Sequence, residues 1–516
     1  MENNNKQKKI ALVVGCTGMA GHWIVPTLLN SKDEDWEVYG LALELNEKSF
    51  ASMTDKPFIP LMVNLNSKES IIKGLKDKGY PKITDVFWYA EANRPPKLAN
   101  AVVMRHLLNV GETFGPVVKA VLKVSPQSIH DQLYGQLNYL AGSGRNERNQ
   151  LWIGNIIDAL IETNAPLKHF VLGCGGKWYG MAIGPAFYEG YSCPFDEDKT
   201  KGPGPLCYFD AQEFVAKKAQ EHKFSWNVVL PSFIIGRCPE LTPATQSFGL
   251  ALAVYTTLMK AQGKHLMYPG NIGSYKAKIQ LSSSKKIAEV MKWSTQHENQ
   301  IFNVTSCPAF SWSEVWDSIG KYFDIPTDGP HKGNEIGGVN SESMLGPHAE
   351  IIWKKVQAKY GLAPFPLQNV FNADFLDKSF IAGFDSIYSD EKIRKFGYPD
   401  DQVFEGGSAN EILAQFFDDL VRDKIIPNPK ELISGIVSVI TDADIKQYSG
   451  VGGVTTVAEA EKKSSEKIAQ AQDIGRKLSV DIQSGNILTL VGELGKIAEA
   501  EKEIESKEPI LDVGSA

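Results

Sequence analysis

The chain has no excess of positive charge, no long apolar run and no close pair of cysteines. Its net charge is −7, with Lys and Arg scattered rather than striped, so it lacks the basic footprint of a nucleic-acid binder. No apolar stretch approaches the length of a membrane span, and the leading "MENNNKQKK" is polar, without a signal-peptide core. Together these absences point to a cytoplasmic protein that needs neither membrane nor nucleic acid. Cys16, Cys174, Cys193, Cys207, Cys238 and Cys307 contain no C-x-x-C spacing, which argues against a zinc site or a disulfide framework. What remains is a globular composition: 43% hydrophobic and 10% aromatic residues over 516 positions, enough for one large domain with additions or for several.

The stretch from Ile10, "IALVVGCTGMAG", runs from an apolar β-rich segment into glycines and then into "HWIVPTLL". That order is strand, tight turn, helix. Glycines permit the turn and let backbone approach a pyrophosphate, whose charge rests on N–H groups at the helix start. Gly15, Thr17, Gly18, Met19 and Gly21 are the candidate contacts, although a glycine-rich turn that binds nothing has the same pattern. Pro26 removes one backbone bond inside the following helix and should kink it.

Further strands follow in "WEVYGLAL", "PFIPLMVNL", "ITDVFWYAEA", "LKHFVLGCGGKWYG" and "FSWNVVLPSFIIG", with helices such as "SKESIIKGLKDKG" and "LWIGNIIDALIETN" between them. Alternating strands and helices predict an α/β, Rossmann-type doubly wound parallel sheet. After Gly236 longer helices dominate and predict a smaller, mostly helical substrate-binding domain over the carboxyl edge of the sheet. The segment from Pro95 to Arg148 reads as an ordered insertion because it contains helical apolar stretches such as "IHDQLYGQLNYLAG". From Pro429 the chain turns to Ala, Glu and Lys, so residues 1–428 are expected to form the main body and 429–516 a solvated helical C-terminal extension.

A reducing site on such a sheet needs a proton donor beside the nicotinamide, usually a Tyr with a Lys four residues on. Among 17 tyrosines only Tyr388, with Lys392, has that spacing, and it lies far past the sheet. Two other residues are better placed: Lys177, after the fifth strand, and Tyr208, opening the helix of "CYFDAQEF" with Gln212 in place of the usual Lys. In these segments, and in "GCTGMAG", "VYGLAL", "VFWYAEANR", "PFDED", "LPSFIIG", "FNVTSCPAFSWSEVW" and "LAQFFDDLVRDKIIPNP", the chain resembles the progesterone 5β-reductase and iridoid synthase (PRISE) family of atypical extended short-chain dehydrogenase/reductases (SDR). The resemblance runs from Lys9 to Pro429, apart from the insertion. It implies an NAD(P)H-dependent oxidoreductase acting on a small α,β-unsaturated carbonyl (enone) compound. Hydride goes to the β-carbon, with Tyr208 and Lys177 as catalytic residues that also touch the cofactor. The resemblance further implies cofactor contacts at Ala90, Pro231, Ser232 and Ile234 and substrate contacts at Gly180 and Phe375.

The departures from the family matter. Its second strand ends in two arginines that hold the 2′-phosphate of NADPH; here Leu43 and Glu44 stand there, and a carboxylate that accepts from a ribose 2′-OH favours NADH. Asn64, with Leu65, replaces an acidic residue at the adenine side and can still hydrogen-bond the base edge. The family's "TWA" is Ala90, Glu91 and Ala92, and its "WWF" is Ala373, Asp374 and Phe375, so the pocket is less aromatic. A carbonyl reductase or epimerase on the same fold, a cofactor-sensing or scaffold protein without turnover, and a homodimer stay open at this point.

Overall fold

Seven strands form one parallel sheet: β1 (Lys9–Val14), β2 (Trp36–Ala42), β3 (Ile59–Met62), β4 (Asp85–Trp88), β5 (His169–Gly173), β6 (Ser225–Pro231) and β7 (Gln300–Val304), in spatial order β7-β6-β5-β4-β1-β2-β3. The computed structural model describes residues 8–42, 48–90, 119–123, 125–138, 146–181, 187–204, 206–239, 246–331, 340–404, 407–437 and 487–507, with some single positions besides. Strand order reverses between β1 and β4, and a ligand of such a sheet lies outside the carboxyl ends at that crevice. The doubly wound expectation is met. The seventh strand was not among the six read from sequence, because "QIFNV" is five residues long and follows a polar turn.

Both faces of the sheet are covered, which is why its strands read as nearly continuous apolar runs. In β1 the alternation is explicit. Leu12 and Val14 join a core with Ile71 and Leu75 of α2 (Lys68–Asp77), Ile156 and Leu160 of the helix Asn146–Glu162, and Val215 of the helix Cys207–His222. Ala11 and Val13 join the opposite core, with Ile24, Val25 and Leu28 of α1 (Gly21–Leu29) and Ile287 and Met291 of the helix Ser284–Ser294. Pro26 sits buried within α1, which nevertheless continues to Leu29; Asn30 N–H still reaches Pro26 O at 2.9 Å.

A third core surrounds the helix Phe248–Ala261, buried at every residue as its all-round apolar sequence requires. Trp312–Phe323, Ala349–Tyr360 and Ala409–Arg422 pack into the same core. Two of these start at capping boxes written in the sequence, Ser311 with Glu314 and Ser408 with Glu411. The chain stays packed here as far as Val437: Leu432 and Val437 are buried, and the enclosed Lys260 ammonium donates to Pro429 O at 2.8 Å. The helix Ile487–Lys507 packs on Gln127–Asn138 of the insertion, with Leu490 and Leu494 buried. This part of the extension is therefore docked, where a solvated appendage was expected. Its stripe of Leu490, Leu494 and Ala498 survives the glycines because Gly492 points away from it.

Buried Asn303 on β7 ties the "PFDED" segment to the sheet. Its amide donates to Phe195 O and Ser389 O, both at 3.0 Å, and accepts from Tyr179 Oη at 2.6 Å. Its backbone N–H donates to Glu197 Oε1 at 2.7 Å. Burial pushes the Glu197 carboxyl up to about 7, against the pull of that N–H. The folded state thus holds a proton that the unfolded chain releases near the ordinary glutamate value. Stability from this group is complete below that value and is lost as pH rises through about 7. Glu197→Gln keeps the acceptor and removes the charge, so it should raise stability at pH 8 by up to ~3 kcal/mol and flatten the fall in Tm between pH 5.5 and 8. Thermal denaturation across that range checks it, and an unchanged pH slope would show that Glu197 is not the titrating group.

Candidate active site

The turn after β1 is built by exclusion of side chains. Gly15 has φ +85°, and a Cβ there would stand 2.8 Å from Ala90 N and Tyr89 O. A Cβ on Gly21 would stand 2.0 Å from Gly15 O. Gly18 N–H closes the turn on Gly15 O at 3.0 Å, and His22 N–H donates to Gly18 O at 2.8 Å. Ala20, the N-cap of α1, makes no side-chain hydrogen bond to the first turn. This is a cradle that a dinucleotide pyrophosphate fits: closely approaching backbone, glycines without side chains and a helix start.

Thr17 and Met19 are half-buried at its mouth, and Met19 Cγ lies 3.3 Å from where a Cβ on Gly236 would stand. Neither Cys16 nor His22 adds charge to the turn. Burial pushes the Cys16 thiol up to about 12 and the His22 imidazole down to about 3, and the His22 ring stacks on Phe50 at 4.5 Å.

The expected adenine-side residues form a closed polar turn. Asn64 Oδ1 accepts from Asn66 N–H at 2.8 Å, Leu65 O accepts from Asn155 at 2.8 Å, and Trp152 donates to Asn66 at 2.8 Å. Leu43, Glu44, Glu91 and Ala92 lie outside the described residues. Ser232 closes on its neighbours: its N–H donates to Ser282 Oγ at 2.9 Å and its hydroxyl to Gln280 O at 3.0 Å, which pins the strand Phe233–Ile235, with half-buried Ile234, beside Leu281–Ser283.

Lys177 is half-buried in the single turn Gly176–Tyr179 that leaves β5. Tyr208 is half-buried in the first turn of the helix Cys207–His222. The two segments meet. A Cβ on Gly175 would be 3.7 Å from Tyr208 Oη and 4.0 Å from Pro231 O, so the tyrosine hydroxyl overhangs the loop that carries Lys177, next to the end of β6. Their neighbours lock this arrangement: the Trp178 ring packs edge-on against Phe209 at 4.8 Å. Tyr179 lies behind the loop, fully buried and stacked on Phe195 at 4.5 Å.

Gly180 takes φ +79°, and a Cβ there would press Pro203 and Tyr188 at 3.2 and 3.3 Å. Phe375 is partly buried on the short helix Ala373–Lys378, against the third core rather than the one that holds Trp178. Tyr89 was not singled out from sequence, yet a Cβ on Gly173 would meet its ring at 2.2 Å, so this tyrosine sits between the ends of β1, β4 and β5. Its place directly after β4 was the available signal. A Ser225–His169–Asp85 row crosses β6, β5 and β4 at the opposite end of the sheet, with Ser225 Oγ 2.6 Å from His169 Nδ1. The Ser225 hydroxyl also lies 3.1 Å from Lys168 O, and the row stands at the end of the sheet away from the glycine turn.

The chain is similar to several known proteins. Residues 139–369 match the family described as a PRISE-like Rossmann-fold domain. The chain is 25% identical over 401 residues to an (S)-8-oxocitronellyl enol synthase of Antirrhinum majus, covering 76% of this chain and 87% of that one. It is 22% identical over 378 residues to a 3-oxo-Delta(4,5)-steroid 5-beta-reductase of Arabidopsis thaliana, covering 72% and 82%. Among solved structures, the UDP-glucose 4-epimerase of Bifidobacterium longum in complex with NAD+ and UDP superposes with a TM-score of 0.48 at 12% identity, over 82% of this chain and all of that one. The lysine loop, Tyr208 and the strands β5 to β7 thus lie in the part of the chain, residues 139–369, that is similar to a PRISE-like Rossmann-fold domain.

Proposed function

We propose that the protein is an NAD(P)H-dependent reductase of activated, α,β-unsaturated carbonyl compounds. The observation that carries this reading is the convergence of the Gly175–Lys177 loop, Tyr208 and the end of β6 at the carboxyl edge of the sheet, with Tyr208 Oη 3.7 Å from the Cβ position of Gly175. The named relatives, an enol synthase and a steroid 5-beta-reductase, support it.

Gly15, Gly18 and Gly21 would hold the pyrophosphate on backbone N–H groups. When bound, the reduced nicotinamide supplies a hydride. The Tyr208 hydroxyl donates to the substrate carbonyl oxygen, and a donor already in place as negative charge grows there stabilises the enolate more than the ground state. Lys177, a cation in the adjoining loop, strengthens that donor. Trp178 against Phe209 keeps the two segments in register, so the donor does not have to be reorganised during the reaction. We further propose that Glu44 selects NADH, that Gly180 and Phe375 border the substrate, and that the main body ends near residue 428.

Offered a panel of cyclic and acyclic enones, the purified protein should oxidise NADH with at least one of them. Tyr208→Phe should lose roughly 10²-fold or more in kcat while still binding the cofactor. Cofactor binding without turnover across the panel would leave a sensor instead of a reductase. In a parallel comparison of kcat/KM, the wild type should prefer NADH and Glu44→Arg should move the preference toward NADPH; a wild type that already prefers NADPH would refute the role given to Glu44.

A further inference from the structure

The insertion reaches the candidate site through ordinary hydrogen bonds, and the C-terminal helix packs on the insertion. Helix Ile487–Lys507 packs on helix Gln127–Asn138, and Leu490 and Leu494 of the one and Leu133 and Leu137 of the other are buried. From the insertion helix two side chains reach the segment that backs the lysine loop: Tyr134 Oη donates to Phe187 O at 3.0 Å, and Asn138 Nδ2 donates to Pro203 O at 3.1 Å. Asn138 is 2% exposed, so this bond is sheltered from competing water.

The segment at Pro203 touches both halves of the site. Gly202 N–H donates to Trp178 O at 2.8 Å, one residue from Lys177. The Lys201 ammonium lies over the Phe209 ring at 4.4 Å, one residue from Tyr208. Gly202 also presses so closely on Gly180 that a Cβ there would stand 2.4 Å from Gly180 N.

We propose that Asn138, braced from behind by the C-terminal helix, is a positioning residue for the Lys177 loop and Tyr208. It holds the strip 201–203 against both, and the helix Ile487–Lys507 is the part that keeps Asn138 in place. The insertion and the extension are then one device serving the site, not two independent decorations. This rests on the reductase reading for its kinetic consequence, and on geometry alone for its structural one.

The test uses three variants of the full chain. Asn138→Asp keeps the shape but replaces the donor with an acceptor facing Pro203 O. Leu494→Asp places a charge in the buried seam, and Leu488→Asp, at a position 68% exposed on the same helix, is the control. The first two should speed amide hydrogen exchange in residues 176–181 and 201–204 while β1 is unaffected. They should also lower kcat roughly tenfold with KM and cofactor affinity within about twofold, since a displacement on the order of 1 Å is enough for such a loss. The control should match the wild type in both readouts. Unchanged exchange in the first two variants, or exchange that rises equally throughout the sheet, would overturn the proposal. If the wild type turns over no enone, the reductase reading fails while the exchange measurement still decides whether the brace exists.

Discussion

The site depends on backbone meeting backbone where β1 ends. With Gly15 against Ala90 and Tyr89, and Gly21 against the Gly15 carbonyl, no atom larger than hydrogen fits at either glycine. This closeness fixes where α1 begins, how near the end of β4 stands, and how open the crevice is between the two halves of the sheet. A side chain at either position would push α1 away from β4 and fill the turn. The rest of the sheet, packed on both faces, serves to hold this approach at a constant distance.

On the other side of the crevice the proposed catalytic residues are held from behind, by the segments packed against their loop. Tyr179 hands its hydroxyl to Asn303, Asn303 binds the segment of Phe195 and Glu197, and Trp178 meets Phe209. The loop of Lys177 is a single helical turn, which has little stiffness of its own. Its rigidity is borrowed from buried aromatic rings and from one fully committed amide on β7. A polar group buried in this way is stable only when every donor and acceptor is met, and Asn303 meets that condition with both its amide and its backbone N–H.

Much of this was legible in the sequence. The glycine spacing and the six apolar strands are local signals, and each leads directly to its element. Lys177 and Tyr208 could be picked out because each follows or opens an element that ends at the same sheet edge. The parts that could not be read are non-local. Nothing near Asn303 announces that Tyr179 and Glu197 will meet it, since those residues lie far away along the chain. Tyr89 was passed over because its meaning depends on Gly173, a strand away. The docking of the last helix was missed because its apolar stripe is short and interrupted by glycines, and only the partner helix shows which side of it matters.

That docking also sets a schedule. Helix Gln127–Asn138 leaves the ribosome long before Ile487–Lys507 does, so the face on which the later helix packs must wait for its cover while the residues between are made. At ~5–20 residues per second that wait lasts roughly tens of seconds. For all that time this face stands open, and a nascent chain stalled before Ile487 would carry it into the company of other nascent chains.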